Sequence, residues 1–155
     1  MASTYEELIV IKLQNVVNTC ESAIECDVSI AMKLIEEFMK EIKQLGIFSP
    51  YLPTYHIDAG SHRIRWGHVI RDIDTGKVVS LRDAPKTSTG DYDIRRFSMK
   101  NAKLRILIDK YEAKFRILRA SIKQTKEITK SVKGRINVIQ KGQKKAVIGE
   151  IYMDS

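Results

Sequence analysis

The stretch SHRIRWGHVIRDIDTGKVVSLR, residues 61–82, decides the fold class, because apolar and polar side chains alternate along its first half. The positions that share one side are His62, Ile64, Trp66, His68 and Ile70. Alternation of this kind is typical of a β-strand. The residues Asp-Thr-Gly-Lys at 74–77 predict a turn, and 78–82 predict a partner strand. With a candidate strand around Tyr55 and Ile57, we expect an antiparallel β-meander over residues 54–83, which Trp66 anchors onto helices.

The residues before the meander have a helical period, because their apolar positions recur in steps of three and four. These positions are Ile9, Leu13, Val16, Cys20, Ile24, Val28, Ala31, Ile35, Phe38, Ile42 and Leu45. An extra step of four near Ile24 is typical of a stutter in a heptad pattern. Ser3 and Thr4 each precede a glutamate by three residues, which is the capping-box spacing, and Gly46 predicts a C-terminal cap. We expect a helix over 3–45, and the pattern leaves open whether it breaks near Asp27.

The residues after the meander and a loop at 84–91 have the same helical period. The apolar positions are Leu104, Ile108, Tyr111, Phe115, Leu118, Ile122, Thr125, Thr129, Val132, Ile136 and Ile139. A start near Ser98 and an end at Gly142 predict a helix over 98–141. Residues 144–155 are expected to form either a loose tail or an extra strand.

The predicted fold class is therefore α+β and mainly α, with two long amphipathic, heptad-bearing helices flanking a small antiparallel β-meander. The 155 residues are enough for a single domain. Each helix would be about 60 Å long, and so small a chain cannot wrap such rods with other elements. Their apolar seams must bury each other, either in an antiparallel hairpin with the meander at its tip or in a dimer. We expect a homodimer.

Two features predict a cytoplasmic protein. Glu6 and Glu7 occupy the place where a signal peptide needs cationic residues, and the longest apolar run, 8–11, is too short to span a bilayer. Cys20 and Cys26 lie six residues apart on the first helix, so they point in different directions and are separated by a rise of about 9 Å. We therefore expect both thiols to be reduced.

The charge is unevenly distributed along the chain. The formal net charge of +8 combines −4 over residues 1–50, +3 over 51–100 and +9 over 101–155. An acidic first third and a basic last third indicate either internal pairing or a polyanionic partner.

Catalytic motifs are absent from the sequence. There is no phosphate-binding glycine loop, nucleophile elbow or Cys-x-x-Cys pair. His62 and His68 would lie about 20 Å apart on one strand, so they cannot share a metal ion. His56 could approach His62 across a hairpin, but only Asp58 is near enough to add a ligand. We expect structural histidines, no metal, no cofactor, no catalytic residue and therefore no enzyme.

Basic side chains form two candidate DNA-binding surfaces. The first is a stripe on the second helix: Arg116, Arg119, Lys123, Lys126, Lys130 and Lys133. The second is one face of the meander, with Arg63, Arg65 and Arg71 and the neighbours Arg82, Arg95 and Arg96. A row of cations can follow a phosphate backbone, and a two-stranded ribbon fits the major groove. The alternative is a solvated face, partly neutralised by Glu21 and Glu25, on a coiled-coil adaptor for another protein.

The order of parts resembles the MobI-type accessory proteins of conjugative elements. The stretch that carries the resemblance is SPYLPTYHIDAGSHRIRWGHVIRDIDTG, Ser49–Gly76, with its prolyl entry and Arg-x-Arg-Trp strand. The loop with Tyr92 and the helix with Glu112 and Arg119 follow, so that the resemblance covers about residues 45–135. It implies a cytosolic factor that helps to mark or process an origin of transfer beside a relaxase, without cleaving DNA itself.

Overall fold

A computed structural model describes residues 4–153 of the chain, with the side chains of 4–146 and 149. Within these residues it contains two long helices and a three-stranded antiparallel sheet, which confirms the predicted α+β class with a meander. The elements are α1 (Tyr5–Leu45), β1 (Tyr51–Asp58), β2 (Ser61–Arg71), β3 (Val78–Asp83), a short 3-10 helix (Ile94–Arg96) and α2 (Ala102–Met153).

Helix α1 begins and ends as its sequence predicts. The Thr4 side chain accepts a hydrogen bond from the Glu7 N–H, and the Glu7 carboxylate accepts one from the Thr4 N–H, each at 3.1 Å. This confirms the capping box at Thr4, while Ser3 lies outside the described residues. At the other end Gly46 has φ +62°, a left-handed conformation that caps the helix. The helix is continuous through Asp27.

The buried face of α1 differs from the predicted one before Cys20. Val16 and Ile9 are 42% and 45% exposed, whereas Val17 is completely buried. A helix turns by ~100° per residue, so Val17 lies only ~20° around the axis from Ile24, and Val16 lies ~80° away. The prediction that Ile9 and Val16 belong to the buried seam is therefore wrong. It is also wrong for Leu45 at the other end of the helix, which is 48% exposed.

Helix α2 has different ends from those predicted. It begins at Ala102, where the Asn101 side chain accepts from the N–H of Leu104 at 3.1 Å. Ser98 lies before the helix, and its N–H donates to the Tyr51 hydroxyl. The helix continues through Gly142 to Met153, since the residues after Gly142 are mainly good helix formers. A tail or strand over 144–153 is thus wrong, and 154–155 lie outside the described residues. Every position of the predicted apolar stripe in α2 is buried or half-buried.

The sheet has the order β1-β2-β3 and is built from two tight hairpins. Asp58 pairs with Ser61 across a two-residue turn whose members, Ala59 and Gly60, both have positive φ, as a type I′ turn requires. The second turn has Gly76 at φ +68°, which confirms the predicted turn at 74–77. Strand β1 is longer than expected and includes Pro53. An extra residue enters β3 where the register shifts between Ile70 and Arg71 of β2.

The contacts of the chain divide it into two compact units. One unit combines the residues up to Cys26 with those from Ile122 onward. Its buried apolar side chains include Val17, Cys20, Ile24, Ile122 and Ile136. No helix within residues 4–153 is both long enough and apolar enough to cross a membrane.

The other unit, Asp27–Ser121, contains the sheet and the adjoining halves of both helices. Within it the two helices are antiparallel, because Glu41 accepts from the Tyr111 hydroxyl at 2.9 Å and Asp27 accepts from the Ser121 hydroxyl at 2.6 Å. Part of α1 and part of α2 therefore bury each other within one chain.

Trp66 is the centre of this unit's core and is completely buried. Its ring meets Phe38 of α1 at 5.1 Å and Phe115 of α2 at 5.8 Å in edge-to-face geometry. Its Nε1–H donates to the Glu112 carboxylate of α2 at 3.1 Å. The prediction that Trp66 anchors the meander onto the helices is confirmed.

Candidate nucleic-acid interface

Glu112 is the one charged side chain in the core of the described residues, and it is only 1% exposed. Its Oε1 accepts from Trp66 Nε1 and, at 2.6 Å, from Arg119 Nη2. Its Oε2 accepts from Arg116 Nε at 3.0 Å, from Arg119 Nη1 at 3.1 Å and from the Tyr92 N–H at 3.4 Å. Both oxygens are therefore hydrogen-bonded, and two guanidinium groups balance the buried negative charge.

The structure corrects the role of Arg116 and Arg119 in the predicted basic stripe. Arg119 also donates Nε to the carbonyl of Ile64 at 2.9 Å and Nη1 to Asp91 at 3.4 Å, and its side chain is 19% exposed. Arg116 donates Nη2 to the carbonyl of Tyr92 at 2.7 Å. Their donors hold the sheet and the loop against α2, so these two arginines are not free to follow a phosphate backbone with the lysines.

Tyr92 connects this network to the end of β3. Its hydroxyl donates to Asp83 at 2.7 Å, and Asp83 also pairs with Lys86 at 2.8 Å. Burial raises the pKa of Tyr92, and the hydrogen bond to Asp83 raises it further. Burial alone would raise the pKa of Asp83, but hydrogen bonds from Lys86 and Tyr92 outweigh it and lower that pKa. At neutral pH the tyrosine is therefore protonated and the aspartate ionised.

Arg63 and Arg65 share one face of the sheet, as predicted from their spacing. Arg63 pairs with Asp58 at 3.5 Å, and these side chains are 46% and 59% exposed, so that water screens the pair. Arg65 is half-buried, and its Nη2 lies 2.9 Å from Nε2 of His56. Arg63 therefore remains accessible, while Arg65 is partly held within the sheet.

Of the other predicted meander arginines in the sheet, Arg82 does not extend this face. Arg82 pairs with His68, and because opposed residues share a face, Arg82 lies on the side of Ile64 and Trp66. Arg71 is exposed, but its Nη1 donates to the carbonyl of Gly76 at 2.8 Å and its guanidinium lies 4.4 Å from the Phe48 ring centroid.

Arg95 and Arg96 lie in the 3-10 helix rather than in the sheet. Arg95 is 90% exposed and pairs with Asp93 at 3.2 Å. Arg96 is also exposed, and its Nη1 donates to the carbonyl of Lys86 at 3.5 Å. The prediction that Arg82 adjoins the face of Arg63 and Arg65 is therefore wrong, because Arg82 lies on the opposite face, while Arg95 and Arg96 belong to another element.

The lysines of the predicted stripe lie in the second half of α2. Lys123, Lys130 and Lys133 are exposed, and Lys126 is half-buried. Residues 122–146 include eight lysines and arginines and a single acidic residue, Glu127. The net charge of this segment is +7, and we call it the basic segment.

The histidines have protein partners instead of a common ligand. The Tyr55 hydroxyl is hydrogen-bonded to Nδ1 of His62, and His56 contacts Arg65. Among the described residues no three His, Cys, Asp or Glu side chains are grouped closely enough to hold a metal ion. Cys20 and Cys26 are both free, and only Cys20 is buried.

Sequence reasoning missed Glu112 as the residue that organises the two arginines. A signal was present, because Glu112 lies between the apolar seam residues Tyr111 and Phe115 and is followed by Arg116 and Arg119 four and seven residues later. Such spacing places all three charged side chains along one side of a helix. The contacts with Trp66 and Tyr92 had no local signal, since they join distant parts of the chain.

Comparison with models of protein families, with curated proteins and with solved structures found no match to this chain.

Proposed function

We propose that this protein is a non-enzymatic DNA-binding protein that contacts duplex phosphates with its basic segment. The observation that carries the proposal is the state of the lysines there. Within the part of the chain that the structure describes, Lys123, Lys130 and Lys133 are exposed and form no ion pair. The ammonium groups of these lysines therefore lie in water, and on binding to DNA they can replace the counterions of the phosphates.

The spacing of these side chains suits a phosphate backbone. Lys123, Lys126, Lys130 and Lys133 follow one another in steps of three, four and three, which keeps them on one side of α2 over about 15 Å. Lysine is a point charge without the planar fork of arginine, so it favours sequence-independent phosphate contact. Arg63 on the sheet, in the other unit, is a separate cation that could contact base edges.

A salt titration of duplex DNA binding tests this proposal. If Lys123, Lys130 and Lys133 contact phosphates, log affinity falls against log salt with a slope of about −2.7, which is roughly a 40-fold loss between about 50 and about 200 mM salt. The triple variant Lys123→Gln/Lys130→Gln/Lys133→Gln should reduce the magnitude of that slope by about 2.7. Fluorescence anisotropy of a labelled duplex measures both quantities.

The matched control removes three exposed lysines from the other unit, as Lys33→Gln/Lys43→Gln/Lys103→Gln. It lowers the net charge by the same amount, so it separates local contact from overall attraction. For the control variant, the slope of log affinity against log salt should stay within about 0.5 of the wild-type value. Equal loss in both variants, or no salt dependence in the wild type, would refute a binding surface on the basic segment.

A narrower proposal rests on the sequence resemblance to MobI-type proteins. In this proposal the duplex is an origin of transfer, the partner protein is a relaxase, and the protein works as a homodimer in the cytoplasm, where Cys20 and Cys26 stay reduced. Competition between origin-of-transfer DNA and a shuffled duplex of equal length tests this narrower proposal. Equal affinities for the two duplexes would refute binding specific to an origin of transfer, but not general DNA binding.

The alternative function is that of a coiled-coil adaptor for another protein, in which heptad seams on α1 and α2 pair the two helices. A specific observation favours it, since Ile106 and Ile117 of α2 are 70% and 71% exposed. They are eleven residues apart, about three turns, and therefore lie on one side of the helix. The DNA titration separates the two functions, because an adaptor shows no salt-dependent binding to duplex DNA.

A further inference from the structure

A cavity of about 400 Å³ lies where the end of α1 meets the first two strands of the sheet. Five of the side chains that line it are apolar: Met39, Ile42, Ile47, Phe48 and Leu52. Met39 and Phe48 are 44% and 58% exposed, so the cavity is open to solvent. Exposed apolar side chains grouped around a concave surface are typical of a ligand-binding site.

Three cations also line this cavity, Lys40 and Lys43 of α1 and Arg71 of β2, and none of the described residues that line it is acidic. Both lysines are exposed and form no ion pair in the part of the chain that the structure describes. Arg71 contacts the carbonyl of Gly76 and the ring of Phe48, neither of which is acidic. The three positive charges therefore lack an acidic partner within ion-pair distance.

Two neighbouring groups do not change this balance. Glu36 lies one turn before Lys40 on the same side of α1, but it does not line the cavity and forms no ion pair with that lysine. Ser49 lines the cavity, but its hydroxyl already donates to the Tyr51 carbonyl at 2.6 Å and accepts from the Tyr51 N–H at 3.2 Å. The polar side-chain groups left to meet a ligand are therefore cationic.

We propose that this cavity binds a small aliphatic anion, a molecule with a hydrocarbon chain that ends in a carboxylate or a phosphate. The chain covers the apolar lining, and the anionic group pairs with Lys40, Lys43 and Arg71. DNA supplies phosphates but no hydrocarbon chain, and an uncharged apolar ligand leaves the three cations without a partner. Cavities of about 300–1,000 Å³ hold small organic ligands, whereas a protein partner typically covers about 800 Å² of surface.

This proposal goes beyond DNA binding and does not depend on it. The residues that line the cavity belong to Asp27–Ser121, whereas the basic segment belongs to the other unit. Loss of one binding activity therefore leaves the other testable by itself.

Isothermal titration calorimetry of the full chain with octanoate tests the proposal. Octanoate should bind with a Kd on the order of 0.1–1 mM. Octanol has the same chain without the charge and should bind at least about tenfold more weakly. Each CH₂ added between hexanoate and octanoate should tighten binding about fourfold, because it buries more apolar surface. Octyl phosphate, titrated in parallel, identifies which of the two anionic groups the cations prefer.

A charge placed in the cavity should block the ligand. Met39→Glu adds a carboxylate beside the cations and should weaken octanoate binding at least about tenfold, while glutamate remains a good helix former at this exposed position. The matched control is Met32→Glu, also on α1 and 46% exposed, which does not line the cavity. The control should keep the wild-type Kd within about twofold. Thermal unfolding of both variants shows whether each keeps the fold.

A second pair of variants keeps the test decisive even if Met39→Glu unfolds the chain. Lys40→Gln/Lys43→Gln removes two cations from the cavity and should weaken octanoate binding about tenfold. Lys33→Gln/Lys103→Gln removes the same charge elsewhere in the same unit and should leave the Kd unchanged. Three results would overturn the proposal: no binding of either octanoate or octyl phosphate, octanol binding as tightly as octanoate, or folded cavity variants that bind octanoate as well as their controls.

Discussion

Glu112 shows how a buried carboxylate can bind arginines that would otherwise remain in solvent. Moving a carboxylate out of water costs several kcal/mol unless partners replace the lost hydration. Here Trp66, Arg116 and Arg119 supply those partners, and the arginines also bind carbonyl groups of the sheet and the loop. Two cations that the sequence places in a binding stripe are therefore used to hold the core together.

Removing the Glu112 carboxylate should strongly destabilise the protein. Glu112→Ala leaves Arg119 largely buried without its main partner, which should cost about 3–5 kcal/mol of unfolding free energy. Glu112→Gln should cost less, because its amide oxygen can still accept from Trp66. Urea denaturation measures both changes. Arg95→Ala, at a side chain that is 90% exposed, is the control and should stay within about 0.5 kcal/mol of wild type. A Glu112→Ala variant as stable as the wild type would contradict this account.

At the scale of elements, replacing each of two glycines by alanine should change the free energy of unfolding in opposite directions. A Cβ at Gly67 of β2 would lie 2.8 Å from Cβ of Leu81, so Gly67→Ala must push β3 away and should destabilise by about 1–3 kcal/mol. Gly142 of α2 has no neighbour within 4 Å of such a Cβ, and alanine there should stabilise by about 0.5–1 kcal/mol. Urea denaturation of the two variants measures both changes, and a change of unfolding free energy in the same direction for both would contradict this prediction.

The same elements show how far sequence patterns can predict this structure. Periodicity located α1, the meander and the middle of α2, because each element repeats its buried positions locally. Gly142 was wrongly taken as a C-cap, since a glycine marks a helix end only when the chain adopts positive φ there. The site was harder to predict, because whether Arg116, Arg119 or Arg82 is free depends on contacts between strands, loop and helix that no local pattern encodes.

At the scale of the whole molecule, the uneven charge has one use that the contacts show and a second, DNA binding, that we propose. The ion pairs described above, from Asp58–Arg63 to Glu112–Arg119, all lie within Asp27–Ser121, and the buried Glu112–Arg119 pair holds the core of that unit together. The basic segment carries eight positive side chains and one negative one, and it belongs to the other unit. Net charge alone could not separate these uses, because it counts a lysine in water and an arginine bound to Glu112 equally.

Alkaline pH should destabilise the folded protein through two tyrosines. Burial raises the pKa of Tyr92 and of Tyr111, and hydrogen bonds to Asp83 and Glu41 raise them further. Below about pH 10 each tyrosine is protonated in both the folded and the unfolded chain, so this contribution to stability is fully present. Above about pH 10 the unfolded chain loses these protons while the folded chain retains them, so the unfolding free energy falls by at most about 1.4 kcal/mol per pH unit for each tyrosine. Urea denaturation between about pH 8 and about pH 11 measures the slope. Tyr92→Phe and Tyr111→Phe should each make it shallower, and a double variant with the wild-type slope would show that these hydroxyls are not the cause.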